Sequence, residues 1–188
     1  MIVAYFFRQL HMIKKIFSIP LFLASLIGNG QKDSSRIPIP MKNGIVHYEK
    51  VYSLNHAIAR EELYDRALNW FNEAFRNSEK EISISDKKAG KLVGTGAFKI
   101  ITSESGNYYW IKPVIDITVS DGRYIFQSYD YYEKPVEKGI SNEYSKIEYR
   151  WWDFRQGKPW SSEDRRIFEG LDQTTLALMA SLQREMLK

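Results

Sequence analysis

Residues Arg60 to Phe75 (REELYDRALNWFNEAF) limit what this chain can fold into more than any other stretch. Leu63, Ala67, Leu68, Phe71, Ala74 and Phe75 recur at intervals of three and four, with Tyr64 and Trp70 beside them. A helix with that spacing carries one wide apolar stripe, and Glu62, Asp65, Arg66, Asn69 and Asn72 fall on its wet side. Burying each large side chain is worth roughly 1.5–3 kcal/mol, so the stripe needs a surface to lie on. The sequence that follows it reads as strands.

With 188 residues, 44% of them apolar, the chain suits one domain with a real core rather than two. Formal net charge is +4, but residues 1–30 hold Arg8, Lys14 and Lys15 and no acid, so the remainder carries +1. A body so nearly balanced lacks the electrostatic footprint of a nucleic-acid binder, and no nucleic-acid partner is expected. The absence of cysteine removes disulfides, thiolate nucleophiles, thiolate metal sites and a lipid-modified cysteine.

Met12-Ile-Lys-Lys precedes the apolar run Ile16 to Ile27, and Gly28-Asn29-Gly30-Gln31 follows. A basic start, about a dozen apolar residues and then small ones is the anatomy of a secretory signal peptide, in a run too short to span a bilayer. Residues 1–30 are therefore read as a signal peptide with the mature chain starting near Gln31, Met12 making a more typical start than Met1. This predicts an exported, periplasmic or extracellular protein that meets the membrane only through its transient leader. A buried N-terminal helix or an uncleaved anchor is the competing reading.

Residues 31–44 (QKDSSRIPIPMKNG) read as a flexible tether, and 45–188 as a single domain. Residues 45–52 (IVHYEKVY) form a first strand, with His47 and Glu49 on one face; no third ligand is spaced nearby, so a partly exposed strand explains the pair better than a metal site. Before Arg60 the usual capping residue is missing, leaving Asn55 or no side-chain cap at all. Glu81–Ser85 and Lys91–Thr102 pair as strands around Asp86…Gly90. Gly94-Thr95-Gly96 has neither the third glycine nor the Lys-Ser/Thr of a phosphate loop; the two glycines share a sheet face and leave a strip where helix 60–75 can approach. Tyr109 to Val119 alternates with period two, broken by Pro113 at an edge or bulge. Asp121-Gly122 turns it back into Tyr124–Tyr132.

Residues 143–162 hold Trp151, Trp152 and Trp160 close to Arg150, Arg155 and Lys158. They form either a flap whose aromatics close the core or an exposed binding platform. Tyr144–Trp152 reads as one more strand. Ser161 or Ser162 caps the closing helical sequence, with Gly170 weakening or kinking it and Asp172 able to cap it again. Leu171, Thr175, Leu178, Leu182 and Met186 form its stripe. The order β-α-β-β-β-β-α, with successive hairpins, predicts an α+β fold: an antiparallel sheet with two helices on one face.

Several spaced elements also resemble a known family. These are the tyrosine-rich first strand, Glu62-Leu63-Tyr64 with Ala67 and Trp70-Phe71, the hairpin from Asp86 through Ala89-Gly90-Lys91-Leu92-Val93-Gly94-Thr95-Gly96, and Val119-Ser120-Asp121-Gly122-Arg123-Tyr124. Over roughly Ile45 to Tyr132 they resemble the exported bacterial domain of unknown function 4468. Ala59 stands where such helices often have a capping serine. The resemblance implies half of a TATA-binding-protein-like (TBP-like) fold and an exported location; it supplies no catalytic residue, and the fold's name carries no DNA binding.

Catalytic constellations are poor, so a non-catalytic binding or structural domain of the cell envelope is expected, without cofactor or metal. Its partner would be an envelope protein or a glycan. Candidate contacts are Trp110, Tyr129, Tyr131, Trp151, Trp152, Trp160, Arg150 and Arg155, with Tyr108 and Tyr132 adding to the aromatic surface. One alternative is a glycan hydrolase using Asp116 and Asp130 as acid and base, which needs their carboxyls about 5–9.5 Å apart in a cleft. Another is an accessory subunit of an envelope complex, which would present a contiguous apolar patch.

Overall fold

A computed structural model describes residues 39–54, 58–136, 143–151 and 160–188. They belong to a unit of residues 34–188; the leader read at residues 1–30 lies outside the described residues. The elements in order are β1 (Met41–Lys42), β2 (Ile45–Val46), β3 (Tyr48–Ser53), α1 (Arg60–Ala74), β4 (Lys80–Asp86), β5 (Lys91–Gly96), β6 (Phe98–Ile101), β7 (Tyr108–Ser120), β8 (Arg123–Val136), β9 (Ser145–Lys146), a 3-10 turn (Ile147–Tyr149) and α2 (Ser162–Met186). The main sheet runs β3-β8-β7-β5-β4, with β6 extending the β7 side and β9 the β8 side. Every pairing among the described residues is antiparallel.

Both helices lie on the same side of this sheet, the α+β arrangement expected. The inward row of β7 is Tyr109, Ile111, Ile115, Ile117 and Val119, all buried. Gly94 is in register with Ile115, and a methyl added to it would stand 2.8 Å from the Phe71 ring of α1. At Gly96 the same methyl would strike the ring of Phe75. The glycine strip is what lets α1 settle on β5. On α2, Thr175 is within hydrogen-bond distance (3.1 Å) of the Tyr131 hydroxyl, and Tyr48 donates to Asp172 at 2.8 Å. The helices also grip each other: Trp70 Nε1 donates to Ser181 Oγ at 2.8 Å, and Arg66 donates to the Met186 carbonyl at 2.7 Å.

The start of α1 is held from a distance. Ala59 supplies no side-chain cap, and Asn55 lies outside the described residues. Instead the Arg60 amide donates to Asp121 Oδ1 at 2.9 Å, while the neighbouring Gly122 amide donates to the Ile58 carbonyl. The β7–β8 turn therefore closes a hairpin and caps a helix together, and Glu61 and Glu62 add favourable charge in the first turn.

Four expectations need correction. Part of the tether is a hairpin: β1 pairs with β2 around Asn43-Gly44, both with positive φ, a dipeptide suited to a tight two-residue turn. The strand expected over Lys91–Thr102 breaks at Ala97, whose amide donates to the Glu79 carbonyl; β5 and β6 then pair with successive parts of β7. The strand expected over Tyr144–Trp152 shrinks to β9 followed by the 3-10 turn. Finally, α2 runs 25 residues without interruption from a Ser161–Asp164 capping box. Gly170 marks close approach, since a methyl there would stand 2.7 Å from Ile100, and Asp172 binds Tyr48 rather than capping.

Candidate contact surface on the open face of the sheet

Which side chains reach the open face is decided by one irregularity. Lys112 faces Tyr132 and Val114 faces Tyr129, so Pro113 opposes two residues, Asp130 and Tyr131. Asp130 takes φ of 49°, a left-handed conformation that aspartate tolerates, and proline has no amide to lose from the ladder. This is a β-bulge, and it reverses the alternation of β8. Before it, Tyr124, Phe126 and Ser128 point inward; after it, Tyr131 and Glu133 do. The expectation that Tyr131 belongs to an exposed contact surface is thereby overturned. Tyr131 is fully buried, and its hydroxyl is within hydrogen-bond distance of Ser128 and Thr175. Burial pushes its pKa up.

The same reversal gathers Tyr132 and Lys134 with Trp110 on the open side. Direct register partners share a face, so the open surface can be read across the strands. One row is Lys99 on β6, Trp110 on β7 and Lys134 on β8. The next is Lys112 on β7, Tyr132 on β8 and Lys146 on β9. Each aromatic ring thus has a lysine on both flanks. Tyr108 packs edge-on against Trp110, with the Lys99 ammonium 3.8 Å above its ring. Tyr144 is approached by Lys112 at 4.7 Å and Lys134 at 4.5 Å.

Glu79 organises this end of the strip. It pairs with Lys134 at 3.2 Å and Lys112 at 3.4 Å, and accepts from the Tyr144 hydroxyl at 3.2 Å. The bond from Lys134, more than any other influence, holds the Glu79 carboxyl below its usual range. Burial and the nearby Glu79 raise the Tyr144 phenol to about 12. Asp130 stands 3.6 Å from Lys146, whereas Lys99 has no acid within ion-pair distance among the described residues. Four lysines against two carboxylates leave the strip positive. The two rows went unread in the sequence because register, which brings Lys99 beside Trp110 and Lys146 beside Tyr132, is a tertiary fact.

The remaining predicted contacts sit elsewhere. Tyr129, half-buried on the open face, stacks on His47 at 5.8 Å, and His47 lies 3.2 Å from Glu49. Trp151 and Trp160 close over Phe168, at ring distances of 4.4 and 4.8 Å, and pack on the core as a flap does. Arg150 is mostly buried and bound at 2.6 Å to both Glu133 and Asp164, with its guanidinium over the Tyr109 ring. Trp152 and Arg155 lie outside the described residues. The carboxylates of the hydrolase reading each hold a cation of their own: Asp116, buried, binds Lys91 at 2.5 Å, and Asp130 faces Lys146. A cavity of about 500 Å³ opens between the β1–β2 hairpin and α2, lined by Met41, His47, Tyr48, Asp172, Leu176 and Met179, far in sequence from either. Among the described residues no group of three or more His, Asp or Glu is placed to hold a metal ion, and no helix is long and apolar enough to cross a membrane.

An antiparallel sheet open on one side, with two helices sharing the other, places this chain among TBP-like α+β proteins. Residues 48–132 match the family described as a domain of unknown function (DUF4468) with TBP-like fold. Two solved structures share its architecture. A TBP-like protein from Parabacteroides distasonis aligns with a TM-score of 0.58 at 16% identity, covering 77% of this chain and 97% of its own. A DUF4468 family protein from Bacteroides ovatus aligns with a TM-score of 0.59 at 18% identity, covering 77% of this chain and 90% of its own. At those identities the likeness concerns the fold. No curated protein matches the chain.

Proposed function

We propose that this chain is an exported, non-catalytic binding domain of the cell envelope, and that it engages its partner through the open sheet face around Trp110 and Tyr132. The observation that carries this reading is the pair of cross-strand rows, Lys99–Trp110–Lys134 and Lys112–Tyr132–Lys146. Trp110 and Tyr132 are half-buried between their neighbours, and the part of each ring left accessible, on the face opposite both helices, offers contact area at low entropic cost. Export rests on the leader pattern of residues 12–31. The paired carboxylates that a hydrolase would need are spent on Lys91 and Lys146.

The test is capture of partners from envelope extract on immobilised protein, wild type against Trp110→Ala/Tyr132→Ala. Loss of the captured species with an unchanged melting temperature supports the reading. Full capture by the double variant removes this face from consideration. Mass spectrometry of the secreted product checks export; a chain beginning near Gln31 is expected, and one retaining residues 12–30 inside the cell refutes it.

A further inference from the structure

Lysine and aromatic rings alternate across β6 to β9 in a way that selects among partner chemistries. The cores of protein–protein interfaces are depleted in lysine, because an ammonium flanking each ring must be desolvated. Here both central rings, Trp110 and Tyr132, have a lysine on either side. Such a surface suits a ligand that is itself hydroxylated, anionic and provided with flat C–H faces. Sugar rings stack their C–H faces on aromatic rings, and lysines meet pendant carboxylates as point charges. Each row crosses two strand spacings, roughly 10 Å, about the length of two linked sugar rings. Glu79 engages Lys112 and Lys134 at 3.4 and 3.2 Å, and Asp130 stands 3.6 Å from the more exposed Lys146. Lys99 therefore meets a ligand without an acid to displace among the described residues, and Lys146, the most loosely paired of the other three, is the second contact, at the opposite end of the two rows.

We propose that the strip binds an acidic polysaccharide, with carboxylate-bearing sugars lying across Trp110 and Tyr132 and their carboxylates meeting Lys99 and Lys146. This deepens the contact-surface reading and rests on it. Nucleic acid and acidic peptide share the charge but not the match: the body is nearly balanced in charge, and a peptide chain offers no ring-sized C–H face.

The experiment is calorimetric titration of the full chain with polygalacturonate, with neutral dextran, polyglutamate and an oligothymidylate as comparison ligands. Polygalacturonate is expected to bind, more weakly as salt rises, and dextran is not. Trp110→Ala should weaken binding about tenfold or more with the melting temperature preserved. Lys99→Gln/Lys146→Gln should weaken it by a similar factor and flatten the salt dependence. Glu79→Gln, which releases Lys112 and Lys134, should tighten it. Stronger binding of polyglutamate or oligothymidylate than of polygalacturonate overturns the assignment, as does unchanged affinity in folded Trp110→Ala. If polygalacturonate does not bind while Trp110→Ala/Tyr132→Ala still abolishes capture from envelope extract, the glycan falls and the contact surface stands. If both results are negative, both readings fall.

Discussion

A single methyl group separates α1 lying on β5 from α1 standing off it. Gly94 leaves 2.8 Å between a would-be methyl carbon and the Phe71 ring and 2.5 Å to the Glu81 carbonyl, the first a fully buried side chain and the second backbone. Gly94→Ala is therefore expected to lower stability by about 1–3 kcal/mol, the usual cost of overpacking, read as a shift in urea midpoint at constant slope. This position was legible from spacing, since two glycines two apart must share a sheet face. Asp121 was legible only in half. Its Asp-Gly signal announces a hairpin, but its bond to the Arg60 amide spans 61 positions and belongs to no local pattern. Asp121→Ala should cost about 1 kcal/mol through the lost cap, measured as a lower thermal midpoint. Tyr131 shows the opposite failure. Strict alternation sends it outward with Tyr129, and the bulge at Asp130 turns it into the core.

At the scale of elements, the closing helix and the segment before it act as one. Arg150 ties Glu133 of β8 to Asp164 in the first turn of α2, and Trp151 and Trp160 lie over Phe168 beside it. Trp151→Ala is expected to lower stability by roughly 2 kcal/mol or more and leave partner capture intact, because this residue packs on the core. The cluster also sets an acid response. Burial works against the Asp164 charge, yet bonds from Ser161 and Arg150 hold its carboxyl below the usual range. A carboxyl depressed in the folded state contributes stability above its unfolded value of about 4, and loses it as pH falls through the folded value. Glu133 is shifted the other way, raised by burial against the pull of Arg150. Its protonation favours the fold, so its contribution declines as pH rises through the raised value. Asp164→Asn should therefore melt lower than wild type near pH 7, and the gap should close toward pH 2. A gap that stays constant across that range would remove Asp164 from the acid limb.

At the scale of the folded unit, the described residues form a sheet with both helices packed on one face and no described element packed on the other. β7 and β8 share twelve registered pairs and carry neighbours on both sides, whereas β3 and β4 lie at the edges of the order. Amides in the middle of β7 and β8 should exchange slowest and those of β4 among the fastest of the sheet, checked by native-state hydrogen exchange. From residue order alone came the amphipathic helices, the β4–β5 and β7–β8 hairpins, the antiparallel sheet with both helices on one side and the family likeness over roughly Ile45 to Tyr132. These follow from periodicity and turn chemistry, which act within a few residues. Register, the bulge, the distant cap and the lysine–aromatic rows were decided only in three dimensions. Each depends on which residues meet across strands far apart in the chain, and no local preference encodes that meeting. The open surface is therefore a product of pairing: the rings and lysines are written in the sequence, but the alignment that sets them side by side is a property of the folded sheet.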